Sequence, residues 1–382
     1  MSGLFNVYPL FDIEPTKANG AYLFDDKGEK YLDLYGGHAV ISIGHSHPHY
    51  VQKIQQQIEK IGFYSNSVKN ELQEQLAEKL GILSSYTDYS LFLCNSGAEA
   101  NENALKLASF HNGGDKLIAF KHGFHGRTAG AVAATDNPKI VAPVNPNRQV
   151  IFCEFENKIQ IIDAIQKGGV CAIIIECIQG VGGLYAPSDE FVQFLSQTCE
   201  ENNICLIADE VQAGYGRTGD FFAHQQSNIK PHLITLAKGM GNGFPVGGVF
   251  IHPSIKPSFG MLGTTFGGNH LACAAALAVL EVIEKENLIT HAKEMGAFLK
   301  GELSKIAAVT EIRGRGLMIG AVFPFPIKEL RKQLLFENHV FTGSAADPHV
   351  LRLLPPLNIE KNDLIQFIEA LKFQLNKIEA VA

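Results

Sequence analysis

From Leu91 to Ile251 the chain alternates short apolar or β-branched runs with longer amphipathic stretches. That alternation is the signature of βαβ units on a mainly parallel sheet. The runs predict strands over Ser90–Cys94, Lys116–Phe120, Gln149–Cys153, Val170–Glu176, Ile204–Asp209, His232–Leu236 and Val246–Ile251. Between two of them, Ser188–Asn202 places Phe191, Phe194, Leu195 and Thr198 at spacings of three and four, one apolar stripe suited to covering a sheet face.

After Asn269 the pattern changes to a long helix through about Lys285, another near Thr290–Ile306, and strands around Glu311–Phe323 and Val350–Leu353. The chain has 382 residues, more than a single core usually serves. The expected class is therefore α/β, with a large domain on a mainly parallel seven-stranded sheet over residues 46–270 and a smaller α+β domain over 271–382. Residues 1–45 carry short strands and a hairpin-like turn, Asp25-Asp26-Lys27-Gly28, and are expected to pack with the smaller domain.

Composition narrows the function classes. Lys and Arg are scattered and the formal net charge is -7, so nucleic acid has no electrostatic footprint to follow and a small metabolite is the better default. Met1–Phe11 lacks the pattern of a secretory leader, and Leu271–Leu280 falls short of the roughly 20 residues a bilayer requires. A cytoplasmic protein without membrane contact is expected. The seven cysteines mostly sit in apolar runs with no C-x-x-C pair, as reduced thiols packed like small hydrophobes do. His45, His47 and His49 resemble a ligand set, but with Pro48 among them and no matching Cys or Asp group they read as a hydrogen-bonded turn, and no metal is expected.

Three features carry chemistry. Cys94-Asn95-Ser96-Gly97-Ala98-Glu99 follows a strand and opens a helix, with Ser96 and Glu99 at capping-box spacing. Small Gly97 would let a phosphate approach the first-turn amides; an ordinary helix cap is the plainer alternative. Asp209 and Lys238 each end an apolar run, where charge is costly without a partner. A strand-end salt bridge would account for either alone. Together with the cradle they supply an anion site, an amine and a carboxylate, which suit a cofactor with one phosphate, one aldehyde and one basic pyridine nitrogen.

Gly44-His45-Ser46-His47-Pro48, Asn95 through Glu102, Phe124-His125-Gly126-Arg127-Thr128, Gln179-Gly180, Asp209 through Gly214, Lys238 and Gly263 through Asn269 follow one another in the order of a known family. Across nearly its whole length the chain resembles the class III aminotransferases of fold type I, and among them the acetylornithine and ornithine group. The resemblance implies pyridoxal 5'-phosphate held by Lys238, with Ser96, Gly97 and Ala98 at its phosphate, Phe124 stacked on its ring, Val211 behind it, Asp209 at the pyridine nitrogen and Gln212 at the ring hydroxyl. It further implies that Thr265 reaches the phosphate of a neighbouring subunit, so that a homodimer shares its active sites. Arg127 and Arg352 are implied as carboxylate receivers for the donor and for glutamate; structurally either could be an interdomain ion pair.

The implied reaction moves the δ-amino group of N-acetylornithine or N-succinylornithine to 2-oxoglutarate, in arginine biosynthesis. Free ornithine or another ω-amino acid as donor, an aminomutase, and a protein that keeps the fold without turnover are the competing readings. The chain departs from the family at Val181, where a glutamate usually masks the arginine corresponding to Arg352, and at His38 and Cys177. An unmasked Arg352 suggests a donor with a carboxylate at its far end.

Overall fold

The computed structural model describes residues 3–145 and 149–379. Met1 and Ser2, at the start of the segment read for a leader, lie outside it, as do the last three residues of the expected smaller domain.

Three strands begin the chain: β1 (Pro15–Asn19), β2 (Tyr22–Asp25) and β3 (Lys30–Asp33). The expected turn between β2 and β3 forms. Asp25 Oδ1 accepts from the amides of Lys27 and Glu29 at 3.0 and 2.9 Å, an Asx-type closure, and Gly28 takes a φ of +84°.

The central sheet contains β4 (Ser90–Cys94), β5 (Lys116–Phe120), β6 (Val150–Cys153), β7 (Val170–Ile175), β8 (Cys205–Asp209), β9 (Leu233–Leu236) and β10 (Gly247–Ile251), in the order β4-β10-β9-β8-β7-β5-β6. These bounds match the sequence expectation to within one residue. The core strands are buried on both faces, β7 at all six positions, which is why they read as unbroken apolar runs. β10 runs antiparallel to both β4 and β9, while the other pairs are parallel.

Helices cover the sheet for local reasons. Helix Asp189–Glu201 is capped by Ser188, whose side chain accepts from Phe191 N, and carries Asp189 and Glu190 in its first turn, where the dipole favours anions. It buries Phe191, Val192, Leu195, Thr198 and Cys199. Helix His270–Lys285, capped by Asn269, buries eleven residues and lies inside the molecule. All seven cysteines are free and buried.

The remaining strands are β11 (Glu311–Arg315), β12 (Met318–Val322), β13 (Val340–Phe341), β14 (Gly343–Ser344) and β15 (Val350–Leu353). β13 pairs in parallel with β3, and the other four form an antiparallel sheet ordered β11-β12-β15-β14. Arg217, buried beyond β8, donates to the carbonyls of Ile41, Leu317 and Pro355 and so ties the N-terminal segment and the last sheet to the central one. No described helix is long and apolar enough to cross a membrane.

Candidate active site

The carboxyl ends of β7, β8 and β9 lie side by side, with Asp209 in register with Thr235. In a parallel sheet this is where ligand crevices form. Glu176 follows β7, Asp209 ends β8, and Lys238 stands two residues past β9. All three line one pocket of about 330 Å³.

Lys238 has a positive φ of 45°, a left-handed conformation that non-glycine residues adopt only when their surroundings hold them there. Its amine has no hydrogen-bond or ion-pair partner among the described residues. Burial pushes its pKa down, and the charges of Asp209 and Glu176 oppose that only in part.

Asp209 is 5% exposed and its oxygens are well occupied. Val211 N donates to Oδ1 at 3.1 Å, and Oδ2 accepts from Asn101 Nδ2 at 2.8 Å and meets His125 Nδ1 at 2.7 Å. Burial works against a charged His125 ring, but the hydrogen bond and charge of Asp209 outweigh it and raise the histidine pKa. Glu176 accepts from Phe124 N at 2.8 Å and Gly180 N at 3.0 Å, joining the loops on either side of the pocket. Burial and the nearby Asp209 push its pKa up to about 7.

The elevated Glu176 pKa has a testable sign. Above 4.5 the unfolded chain releases this proton while the folded chain keeps it until about 7, so the carboxylate destabilises the fold progressively across that window. Glu176→Gln, which cannot ionise, should therefore compare more favourably with the parent at pH 8 than at pH 5. Thermal melts at the two values check this, and a difference in melting temperature that stays constant would refute it.

The phosphate-cradle segment folds as a capped helix, Gly97–Asn112. Ser96 Oγ accepts from Glu99 N at 3.2 Å, and Glu99 reaches back to Asn95 N at 2.7 Å, one residue earlier than a capping box would have it. A Cβ on Gly97 would stand 2.5 Å from Val211 Cγ1, and one on Gly126 2.7 Å from Ala98 Cβ, so both glycines allow close approach at the helix start.

Gly97, Ala98, Phe124, Arg127, Asp209, Val211, Gln212 and Lys238, all singled out from the sequence, line the pocket. Three others do not. Ser96 turns its hydroxyl onto the helix end, Thr265 is exposed in the loop before helix His270–Lys285, and Arg352 lies buried on β15, donating to Gly180 O at 2.6 Å. Neither Arg127 nor Arg352 has an ion-pair partner; Arg313 is the only arginine that does among the described residues. His45, His47 and His49 each meet a different carboxylate: Asp33, Glu286 and Glu281. Asn101, His125 and Glu176 were given no role from the sequence, although Glu176 has the same signal as Asp209, an acid ending an apolar run.

Residues 6–375 match the family model of class-III aminotransferases. Among curated relatives, the acetylornithine aminotransferase of Bacillus subtilis (strain 168) is 39% identical over 97% of both chains, and that of Aquifex aeolicus is 37% identical over 97% of this chain and 99% of its own. Among solved structures, the ornithine aminotransferase of Toxoplasma gondii ME49 superposes with a TM-score of 0.92 at 25% identity, covering 99% of this chain and 94% of that one. In a second structure of the Toxoplasma enzyme, 26% identical with a TM-score of 0.91 and covering 99% and 92% of the two chains, PLP is partly occupied at the active site.

Proposed function

This chain belongs to the class-III aminotransferases, and from that membership we propose that it moves the δ-amino group of an N-acylated ornithine to 2-oxoglutarate, giving the N-acyl glutamate semialdehyde and glutamate. It is a pyridoxal-phosphate-dependent enzyme. Acetylornithine aminotransferase is the name of the relatives from Bacillus subtilis, Aquifex aeolicus and Streptococcus mutans, and the reaction serves arginine biosynthesis. The observation that carries the reading is the convergence of a free amine, a tightly held carboxylate and an open helix start on one pocket.

The pocket suits pyridoxal phosphate by two independent signs. Gly97 lets the helix start close directly onto Val211, where a Cβ would stand 2.5 Å from Cγ1, and Gln212 Oε1 is buried with no hydrogen-bond partner among the described residues, ready to accept from a ring hydroxyl. Bound pyridoxal phosphate supplies an electron-accepting ring that stabilises negative charge on the donor carbon.

The chain's own residues do the rest. The Gly97 and Ala98 amides bind phosphate at the helix start. Phe124 and Val211 would hold the cofactor's ring, and Asp209, fixed by Asn101, His125 and Val211 N, would pair with its pyridine nitrogen. Lys238 Nζ, favoured in its neutral form by burial, acts first as nucleophile and then as the base that takes the δ-carbon proton. Arg127, at the exposed edge of the pocket, grips the α-carboxylate. We assign residues 46–270 to the cofactor-binding domain and 271–382 to the smaller domain, with 1–45 as an N-terminal segment packing with the smaller one. The enzyme works as a cytoplasmic homodimer, with exposed Thr265 serving the partner's phosphate site.

Gly97→Ala should weaken pyridoxal phosphate binding about tenfold or more, since overpacking of this kind costs ~1–3 kcal/mol. Titrating apoprotein with the cofactor measures it, and unchanged affinity would remove Gly97 from the cradle. The reaction is tested by incubating the loaded enzyme with N-acetylornithine or N-succinylornithine and 2-oxoglutarate and measuring glutamate. Glutamate formed only when both substrates are present supports the proposal, and conversion of the donor without an external oxo acid would point to a mutase.

A further inference from the structure

Helix Leu288–Leu303 carries Lys293, Gly296, Ala297 and Lys300 at spacings of three and four, on one face. That face meets the loop Thr218–Asp220 and the turn Gly316-Leu317 between β11 and β12. A Cβ on Gly296 would stand 2.1 Å from Gly316 O, one on Gly316 2.7 Å from Gly219 N, and one on Gly219 3.2 Å from Lys293 Cβ. Glycines thus let the three elements close on one another around a cavity of about 340 Å³.

Lys293, Lys300 and Arg315 line this cavity against one acid, Asp220. None of the three cations has an ion-pair partner among the described residues; the pairs nearby are those of Lys305 with Glu302 and of Arg313 with Glu311 and Asp347. Two buried polar atoms here also lack a hydrogen-bond partner among the described residues: Thr218 Oγ1, on a residue 5% exposed, and Arg315 Nε.

Neighbouring arginines show what is missing. Arg217, just before Thr218, donates to the carbonyls of Ile41, Leu317 and Pro355, and Arg313, two residues before Arg315 on β11, meets two carboxylates. Arg315 has neither kind of partner among the described residues. Lys300 gives Nζ to Gly314 O, and burial together with the charge of Arg315 pushes its pKa down. Like charges held side by side are costly until an anion comes between them.

A guanidinium fork, two ammonium groups and a hydroxyl reaching one cavity from three elements suit a multiply charged, tetrahedral oxyanion. A carboxylate, with two oxygens in one plane and a single charge, would leave part of this donor set idle. We propose that Arg315, Lys300, Lys293 and Thr218 form a second anion site, for a small phosphate-bearing metabolite. Its lining shares no residue with the pocket of Lys238. An anion held there joins helix Leu288–Leu303 and β11 to the loop after β8, at the junction that Arg217 already ties through backbone carbonyls.

The test is titration calorimetry of cofactor-loaded enzyme with pyrophosphate at fixed ionic strength in chloride, so that the helix start at Gly97 is already occupied. One pyrophosphate should bind per chain. Arg315→Met and Lys300→Met should each raise Kd about tenfold or more, since each removes a charge-assisted donor. Lys332→Met, which deletes an equal charge from an exposed pair with Glu329, should leave Kd unchanged. Citrate, carrying carboxylates only, should bind the parent about tenfold more weakly than pyrophosphate. Melting curves check that the variants fold, and pyrophosphate should raise the Tm of the parent more than that of Arg315→Met. No binding of pyrophosphate by the parent, tighter binding of citrate, a Kd that neither cavity variant changes, or equal weakening by Lys332→Met overturns the proposal. The aminotransferase reading stands or falls separately, on turnover.

Discussion

Lys238→Ala should lower kcat by about 10⁴-fold or more, because in the proposed mechanism one side chain acts as both nucleophile and base and the two roles vanish together. The amine has no partner among the described residues, and burial favours its neutral form. Alanine removes both properties without disturbing Asp209, Glu176 or the helix start, so pyridoxal phosphate should still enter the pocket but leave on dialysis. Single-turnover kinetics and cofactor retention measure the two effects. Residual turnover within tenfold of the parent would mean that another group moves the proton.

Asp209→Asn should reduce kcat by roughly 10²–10³-fold, the range expected for removing a preorganised charge from a water-poor site. Shape is nearly conserved, so substrate KM should change much less than kcat. The variant also has a consequence at His125. With the carboxylate gone, only the cost of burial remains large, and the histidine pKa should move from above its ordinary value to below it. Kinetics together with a histidine titration followed by NMR check both statements. An unchanged His125 titration would mean that its 2.7 Å contact with Asp209 does not hold the ring's proton.

Much of this was legible in the sequence because the central strands are buried on both faces, so Ile173-Ile174-Ile175 and Leu206-Ile207-Ala208 had to be apolar without interruption. The same background exposed Asp209 and Lys238 as charges where none comes free. Strand direction left no such trace. β10 has the composition of its neighbours, and its antiparallel course is fixed only by how the chain returns from Lys238 to Gly247.

The missing parts of the site were non-local. Asn101 and His125 stood inside motifs quoted for the family, but their bonds to Asp209 exist only once Gly126 lets its loop press against Ala98. Thr265 presents the converse case, a residue singled out by motif that lies exposed in its own chain.

The most direct test of the central claim is to follow the visible absorbance of purified, cofactor-loaded enzyme while adding N-acetylornithine and N-succinylornithine in separate titrations, then 2-oxoglutarate to each. The account predicts that at least one acylated ornithine bleaches the band of the lysine-bound cofactor, that 2-oxoglutarate restores it, and that Lys238→Ala shows no such band. A parent band that ignores both donors, or that bleaches and fails to return with the oxo acid, would contradict it.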